Sequence, residues 1–99
     1  MYALIIRPTA ETDAYQAAGW YNNIRKGLGD EFLSSLESKL ETIKKNPFQF
    51  SRIHKDIRRA LTNRFPYGVF FVVKDQTVIV LAILHTFRKP LGWKNRESE

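Results

Sequence analysis

Two apolar runs in the second half of the chain constrain its fold more than any other feature of the sequence. Gly68 to Lys74 and Thr77 to His85 are rich in β-branched and aromatic residues, and Asp75-Gln76 lies between them where a tight hairpin turn is expected. Ile57 to Thr62 precedes them with the same chemistry. The sequence therefore predicts three consecutive antiparallel strands.

The second and third of these strands carry apolar residues on both alternating faces. Val69 to Val73 and Val78 to Leu84 contain no charged residue, and in an antiparallel sheet this pattern indicates that both faces are covered. Two helices cover only one face of a small sheet. We expect the other face to be closed by strand curvature, by the C-terminal segment from Phe87 to Trp93, or by a partner, which includes a second copy of the chain.

The first half of the chain has helical periodicity after a short strand. Tyr2 to Arg7 predicts the strand, and Thr9 is expected to cap the helix that follows Pro8. The apolar residues of this helix recur at helical spacing: Ala14, Ala17, Tyr21, Ile24 and Leu28. Gly27 and Gly29 end the helix, because glycine readily adopts the left-handed conformation of a helix end.

A second helix is predicted directly after these glycines. Asp30 and Glu31 lie at its positive pole, and Asn46-Pro47 ends it. Its apolar stripe is Phe32, Leu36, Leu40 and Ile43. The whole chain thus predicts an α+β fold with an N-terminal strand, a helical hairpin, a three-stranded antiparallel sheet and a short C-terminal segment. We interpret residues 1–99 as a single domain.

The composition excludes several kinds of site. The chain has no cysteine, and its only histidines are His54 and His85, so we expect no disulfide, no metal and no other cofactor. The longest apolar run is too short to span a bilayer, and Arg7-Pro8 interrupts any signal-peptide pattern. We therefore expect a cytoplasmic protein that makes no membrane contact.

The charge of the chain is distributed unevenly. Residues 1–51 hold six Lys/Arg and six Asp/Glu, whereas residues 52–99 hold ten Lys/Arg and four Asp/Glu. The whole excess of +6 therefore lies in the second half. Such asymmetry favours an acidic partner, which can be a nucleic acid, an acidic protein segment or a ribosomal surface, although a merely soluble basic surface explains it equally well.

An ordered set of short motifs covers nearly the whole chain. Trp20-Tyr21 and Gly27-Leu28-Gly29 come first, followed by Ile57-Arg58-Arg59-Ala60-Leu61, by Arg64-Phe65-Pro66-Tyr67, and by the segment from His85 to Arg96. This order, with these intervals, resembles the RelE/ParE superfamily of bacterial toxins from type II toxin-antitoxin (plasmid stabilisation) modules. The resemblance implies the α+β fold given above and a cognate antitoxin that covers an open groove with an acidic or apolar segment.

In the RNA-cleaving branch of this superfamily, basic side chains on the concave sheet face hold phosphates and an ionisable residue assists proton transfer. The matching residues here are Arg58, Arg64, His85 and Arg88. If Ile57 and Leu61 face the helices, Arg58 faces the concavity, because strand side chains alternate. His85 is then either a general base near its ordinary pKa or a structural residue that ends a strand.

One departure from the RelE pattern favours the ParE branch. Trp93 stands where RelE-like members carry a C-terminal tyrosine, and an indole has no useful titration. The resemblance then implies a toxin that binds DNA gyrase, in a complex with its antitoxin that can be a heterotetramer. A ribosome-dependent mRNA endonuclease is the alternative, and whether the chain is an enzyme is left open. Residues predicted to bind the target or the antitoxin are Arg58, Arg59, Arg64, Arg88, Lys89, Trp93 and Arg96.

Overall fold

The computed structural model of the chain describes residues 1–87, which form two helices packed on one face of a sheet. The elements are β1 Ala3–Ile6, α1 Pro8–Ile24, α2 Leu28–Lys45, a 3-10 turn Pro47–Gln49, β2 Arg52–His54, β3 Ile57–Leu61, β4 Tyr67–Lys74 and β5 Thr77–His85. Neither helix of residues 1–87 combines the length and the apolarity that a membrane span requires.

The sheet has five strands within the described residues, in the order β1-β5-β4-β3-β2. The predicted antiparallel set β3, β4 and β5 is confirmed, but the expectation of only three strands in the sheet is wrong. β1 joins the edge in parallel with β5, and β2 adds three residues in antiparallel pairing with β3. A three-residue strand has too few positions to show alternation, and a parallel pair between distant segments has no local signal.

The helical hairpin is confirmed, with one difference at its start. α1 begins at Pro8, and Arg7 occupies its N-cap position without a side-chain cap hydrogen bond. The predicted cap by Thr9 is therefore wrong. Proline suits the first helical position because its fixed φ is already helical and its missing N–H would have no partner there.

The two helices are in close contact at Gly29. Gly27, at φ +88°, turns the chain into α2, and the Gly29 N–H donates to the Asn22 side-chain oxygen at 2.7 Å. A Cβ atom on Gly29 would overlap the Ala18 carbonyl oxygen. Only glycine fits this contact, so Gly29 permits the packing of α2 on α1.

β5 contains a bulge that shifts the phase of its side chains. Phe70 of β4 pairs with Ala82, whereas Phe71 pairs with Val80, so Leu81 is the extra residue. Val78 and Val80 before the bulge and Ile83 after it all belong to the cluster under the helices. A strand without the bulge would have turned Ile83 to the opposite face.

Buried side chains form one cluster on each face of the sheet. The open face, defined as the sheet face turned away from the helices, buries Ile57, Phe70, Val72, Leu81 and Ala82 to 8% exposure or less. Phe87 is 85% exposed, and the rest of the predicted C-terminal segment lies outside the described residues.

The turn between β3 and β4 packs on α2 through contacts between aromatic rings and through an ion pair. The Phe32 ring contacts the rings of Phe65 and Tyr67, with centroids 5.4 Å and 5.0 Å apart. Arg64, at φ +73°, donates to the Glu31 carboxylate at 2.8 Å. This hydrogen bond, with further help from Arg25, lowers the pKa of Glu31 below its ordinary value of 4.5.

Gly29→Ala should destabilise the protein because its methyl group overlaps backbone of α1. Overpacking of this kind costs about 1–3 kcal/mol. Gly19→Ala is the matched control, since a Cβ at Gly19 has nothing within 4 Å; it should raise the free energy of unfolding by about 0.5–1 kcal/mol. Urea unfolding measures both variants, and equal stabilities would contradict the close contact.

The Glu31 carboxylate should make stability depend on pH in the acid range. Its pKa is lower in the folded protein, so its stabilisation is fully present above pH 4.5 and is lost as pH falls through the folded pKa. The difference in urea midpoint between wild type and Glu31→Gln should therefore shrink as pH decreases below 4.5. The same comparison in an Arg64→Gln background is the control, and it should show a weaker pH dependence.

Candidate functional site

Arg58 lies on the face of the sheet that is packed against the helices. Its cross-strand partner is Phe71, a member of the core under the helices. The guanidinium donates to the Phe50 carbonyl at 2.6 Å and stacks over the Phe48 ring at 5.0 Å from its centroid. Arg58 is therefore engaged by its own chain, where it holds the 3-10 turn against the sheet.

The expected orientation of β3 is thus reversed. Ile57 belongs to the cluster on the open face, whereas Ala60 belongs to the cluster under the helices. Arg58 was expected in the concavity on the condition that Ile57 and Leu61 face the helices, and the structure does not meet that condition. In β3 the more apolar face, with Ile57 and Leu61, is turned away from the helices, so the alternation alone does not decide which face meets them.

Arg59 is the arginine that β3 presents on the open face. Its side-chain stem lies across Gly68, where a Cβ would come within 3.2 Å of the Arg59 Cγ atom. Arg59 is exposed, and its guanidinium makes no hydrogen bond or ion pair with residues 1–87. Because Gly68 has no side chain, the stem of Arg59 packs on the sheet while its charge stays in water.

A cleft of about 380 Å³ adjoins Arg59 at the β2 side of the sheet. Its other lining residues are Gln49, Phe50, Ser51, Ile53 and Leu61. No carboxylate lines this cleft, and Leu61 is 50% exposed at its edge. We call Arg59, Leu61 and this cleft the Arg59 surface. A cation beside exposed apolar side chains can bind a partner that carries a carboxylate or phosphate next to an apolar group.

The side chain of Arg64, like that of Arg58, interacts with residues of its own chain. Its side chain is ion-paired with Glu31 and lies 5.0 Å from the centroid of the Phe65 ring. The side chain of Arg64 remains 60% exposed, so the contact is a surface one. A partner that bound Arg64 through a carboxylate would have to compete with Glu31.

His85 lies on the helix side of β5 because of the bulge at Leu81. It is paired with Tyr67 of β4, and the two rings are 5.3 Å apart. The backbone N–H of Phe87 donates to His85 Nδ1 at 3.1 Å. Since Nδ1 accepts this hydrogen bond, the proton of the neutral ring is on Nε2.

The structure does not bring His85 and Arg58 together. On the strand β4, which lies between them, His85 pairs with Tyr67 and Arg58 pairs with Phe71. These two partners are four residues apart. That separation is roughly 13 Å along the strand, with two strand spacings of about 5 Å each across the sheet. The predicted RNase set is therefore not assembled in the described residues, and its fourth member, Arg88, lies outside them together with Lys89, Trp93 and Arg96.

His85 instead lines a cleft of about 270 Å³ between α1 and the end of β5. Asp13 and Trp20 of α1 lie on the other side of this cleft. The Asp13 carboxylate accepts the Ile83 N–H at 3.0 Å, just beyond the point where β1 stops pairing with β5. The sequence did not predict the hydrogen bond from Ile83 to Asp13 or the contact of Gly68 with Arg59. Neither Asp13 nor Gly68 has a local pattern that indicates a partner far away in the chain.

Among residues 1–87 no group of three metal-ligating side chains is close enough to hold a metal ion.

Comparisons with known proteins identify the family. Among solved structures, a chain described as the chromosomal ParDE toxin-antitoxin system from P. aeruginosa is similar to this fold, with a TM-score of 0.65 and 20% identity. The likeness covers 86% of this chain and 96% of that chain, and at this identity it shows the fold alone. No curated protein matches the sequence significantly. The sequence model of a family described as the ParE toxin of the type II toxin-antitoxin system, parDE, matches residues 4–90. The chain therefore belongs to the ParE toxin family.

Proposed function

We propose that the chain inhibits growth by binding DNA gyrase, that it does so without hydrolysing a substrate, and that a cognate antitoxin neutralises it. The family membership supports a toxin of a type II toxin-antitoxin pair. The observation that carries the binding mechanism is the Arg59 surface, where a cation and an exposed leucine have no partner among residues 1–87. Arginine beside apolar area is typical of the residues that dominate binding energy.

The placement of the other candidates supports binding over cleavage. Arg58 and Arg64 are engaged with Phe50 and Glu31 of their own chain, and His85 accepts a backbone hydrogen bond through Nδ1. General acid-base catalysis requires the acid or base within hydrogen-bond reach of the group it serves, near the cations that hold the substrate. The separation of Arg58 and His85 speaks against such a site.

The antitoxin is proposed to contact the Arg59 surface with an acidic or apolar segment. The cleft beside Arg59 contains no carboxylate that would repel it, and the solved structural neighbour is described as a ParDE toxin-antitoxin system. We also propose that Arg88, Lys89, Trp93 and Arg96 contribute to binding of the target or the antitoxin, since they concentrate positive charge and an indole in a short segment.

Arg59→Ala should weaken both the inhibition of gyrase supercoiling and growth arrest. Truncating one partner of a desolvated charge pair costs about 2–5 kcal/mol of binding, which is roughly thirtyfold or more in the inhibitory concentration. Arg52→Ala is the matched control, because Arg52 is also an exposed β-strand arginine and is 3.8 Å from Asp56. Circular dichroism checks that both variants fold, and equal inhibition by the two would contradict a role for Arg59.

Substitution of His85 should separate the gyrase proposal from the mRNA endonuclease alternative. His85→Ala should leave toxicity largely intact, whereas Arg88→Ala should weaken it, because a binding poison transfers no proton. In an endonuclease with His85 as general base, the same change would remove about 10²- to 10⁴-fold of the rate. The assays are growth arrest on induction, gyrase supercoiling and mRNA cleavage at ribosomes, and His85→Gln serves as a second variant that keeps a polar side chain. A folded but harmless His85→Ala protein that no longer cleaves mRNA would establish the endonuclease.

A further inference from the structure

An apolar groove runs between the two helices and β1, on the side of the fold away from the Arg59 surface. Two adjoining clefts of about 160 and 210 Å³ form it, and they share Leu40 and Glu37 of α2. Leu36 and Leu40 form its floor, and they are buried at 5% and 8% exposure. We call this surface the helical groove.

The walls of the helical groove are apolar side chains that the fold leaves in water. Tyr15 of α1 is 64% exposed and Ile6 of β1 is 36% exposed, although both line the groove. Leu33 of α2 also lines the groove and is partly buried against the core. A contiguous apolar strip of this kind, bounded by polar residues, is typical of a protein interaction site.

The rim of the helical groove is acidic, in contrast to the basic chain as a whole. Glu11 of α1 and Glu37 and Glu41 of α2 line it. Glu11 and Glu37 make no side-chain hydrogen bond or ion pair within residues 1–87. The one cation that lines the groove there, Lys44, is 3.7 Å from the Glu41 carboxylate. The groove therefore has an excess of negative charge.

We propose that the helical groove docks a short segment of a partner protein that combines apolar anchors with lysine or arginine. Its apolar side chains contact Leu36, Leu40 and Tyr15, and its cations lie over Glu11 and Glu37. An acidic segment is disfavoured here, because like charges brought together across an interface cost binding energy. This inference goes beyond the proposed function, because it rests on residues 6–44 and holds whether or not gyrase is the target.

A peptide selection tests the chemistry of the occupant without assuming its sequence. A phage library of random 12-residue peptides is selected on the folded protein, and each clone is then tested on Tyr15→Lys, with Tyr15→Ser as a second variant. Clones that need Tyr15 are groove binders. They should be enriched in Lys, Arg and apolar residues, whereas clones that do not need Tyr15 should be enriched in Asp and Glu, as the net charge of +6 predicts.

The rim carboxylates are then tested with the strongest groove-binding peptide. Glu11→Gln combined with Glu37→Gln should weaken its affinity about threefold to tenfold, since each exposed ion pair contributes up to roughly fivefold. Asp56→Asn is the control, because Asp56 is an exposed carboxylate in the turn between β2 and β3. The Asp56→Asn protein should bind the peptide with the affinity of wild type. Added salt should reduce the difference in peptide affinity between Asp56→Asn and the double variant.

Several results would overturn the proposal. Groove binders that are acidic or uncharged would contradict the basic occupant, and so would a double variant that binds like Asp56→Asn. An absence of Tyr15-dependent clones would show that the groove does not dock a peptide. A wild-type dimer in sedimentation equilibrium that Tyr15→Lys dissociates would show that a second copy of the chain occupies the groove instead.

Discussion

The bulge at Leu81 is the constraint on which the arrangement of the sheet depends. One extra residue in β5 lets Leu81 and Ala82 both pack on the open face, and it returns Ile83 to the core under the helices. The parallel pairing with β1 stops at Val80, one residue before the bulge. Beyond that point the Asp13 carboxylate of α1 takes the Ile83 N–H that a neighbouring strand would otherwise have bound. A change of phase in one strand thus decides the extent of β1 pairing, the contact of α1 with the sheet edge and the face on which His85 lies.

Three arginines close together in sequence have different roles because of the faces on which they lie. Arg58 donates a hydrogen bond to the Phe50 carbonyl just after the 3-10 turn, and Arg64 donates one to the Glu31 carboxylate of α2. Arg59 differs because it pairs with Phe70 and its stem lies against Gly68, which leaves room for the stem without enclosing the charge. Removing Arg58 or Arg64 would affect the fold as well as any binding, so Arg59 is the residue at which binding can be tested with the least disturbance of stability. A guanidinium already hydrogen-bonded inside its chain has less to gain from a partner than one that is solvated beside an apolar surface.

The fold separates two surfaces of opposite charge. The Arg59 surface offers a cation with no carboxylate in its cleft, and the helical groove offers carboxylates with Lys44 as its lining cation. A partner that used both would need an acidic part and a basic part, each with apolar side chains. Net charge alone would have suggested acidic partners everywhere on this chain, because it averages over surfaces that lie on different sides of the sheet.

The sequence by itself determined the helical hairpin, the three antiparallel strands and the turn at Asp75, because periodicity and turn residues act over a few positions and need no distant partner. It also determined the family and the cluster of arginines. It did not determine the parallel pairing of β1 with β5, the bulge at Leu81, or the choice between Arg58 and Arg59 as the residue on the open face. These depend on register and on contacts between segments far apart in the chain, and the alternation of side chains along β3 does not mark the face that meets the helices. Only the tertiary structure decided them.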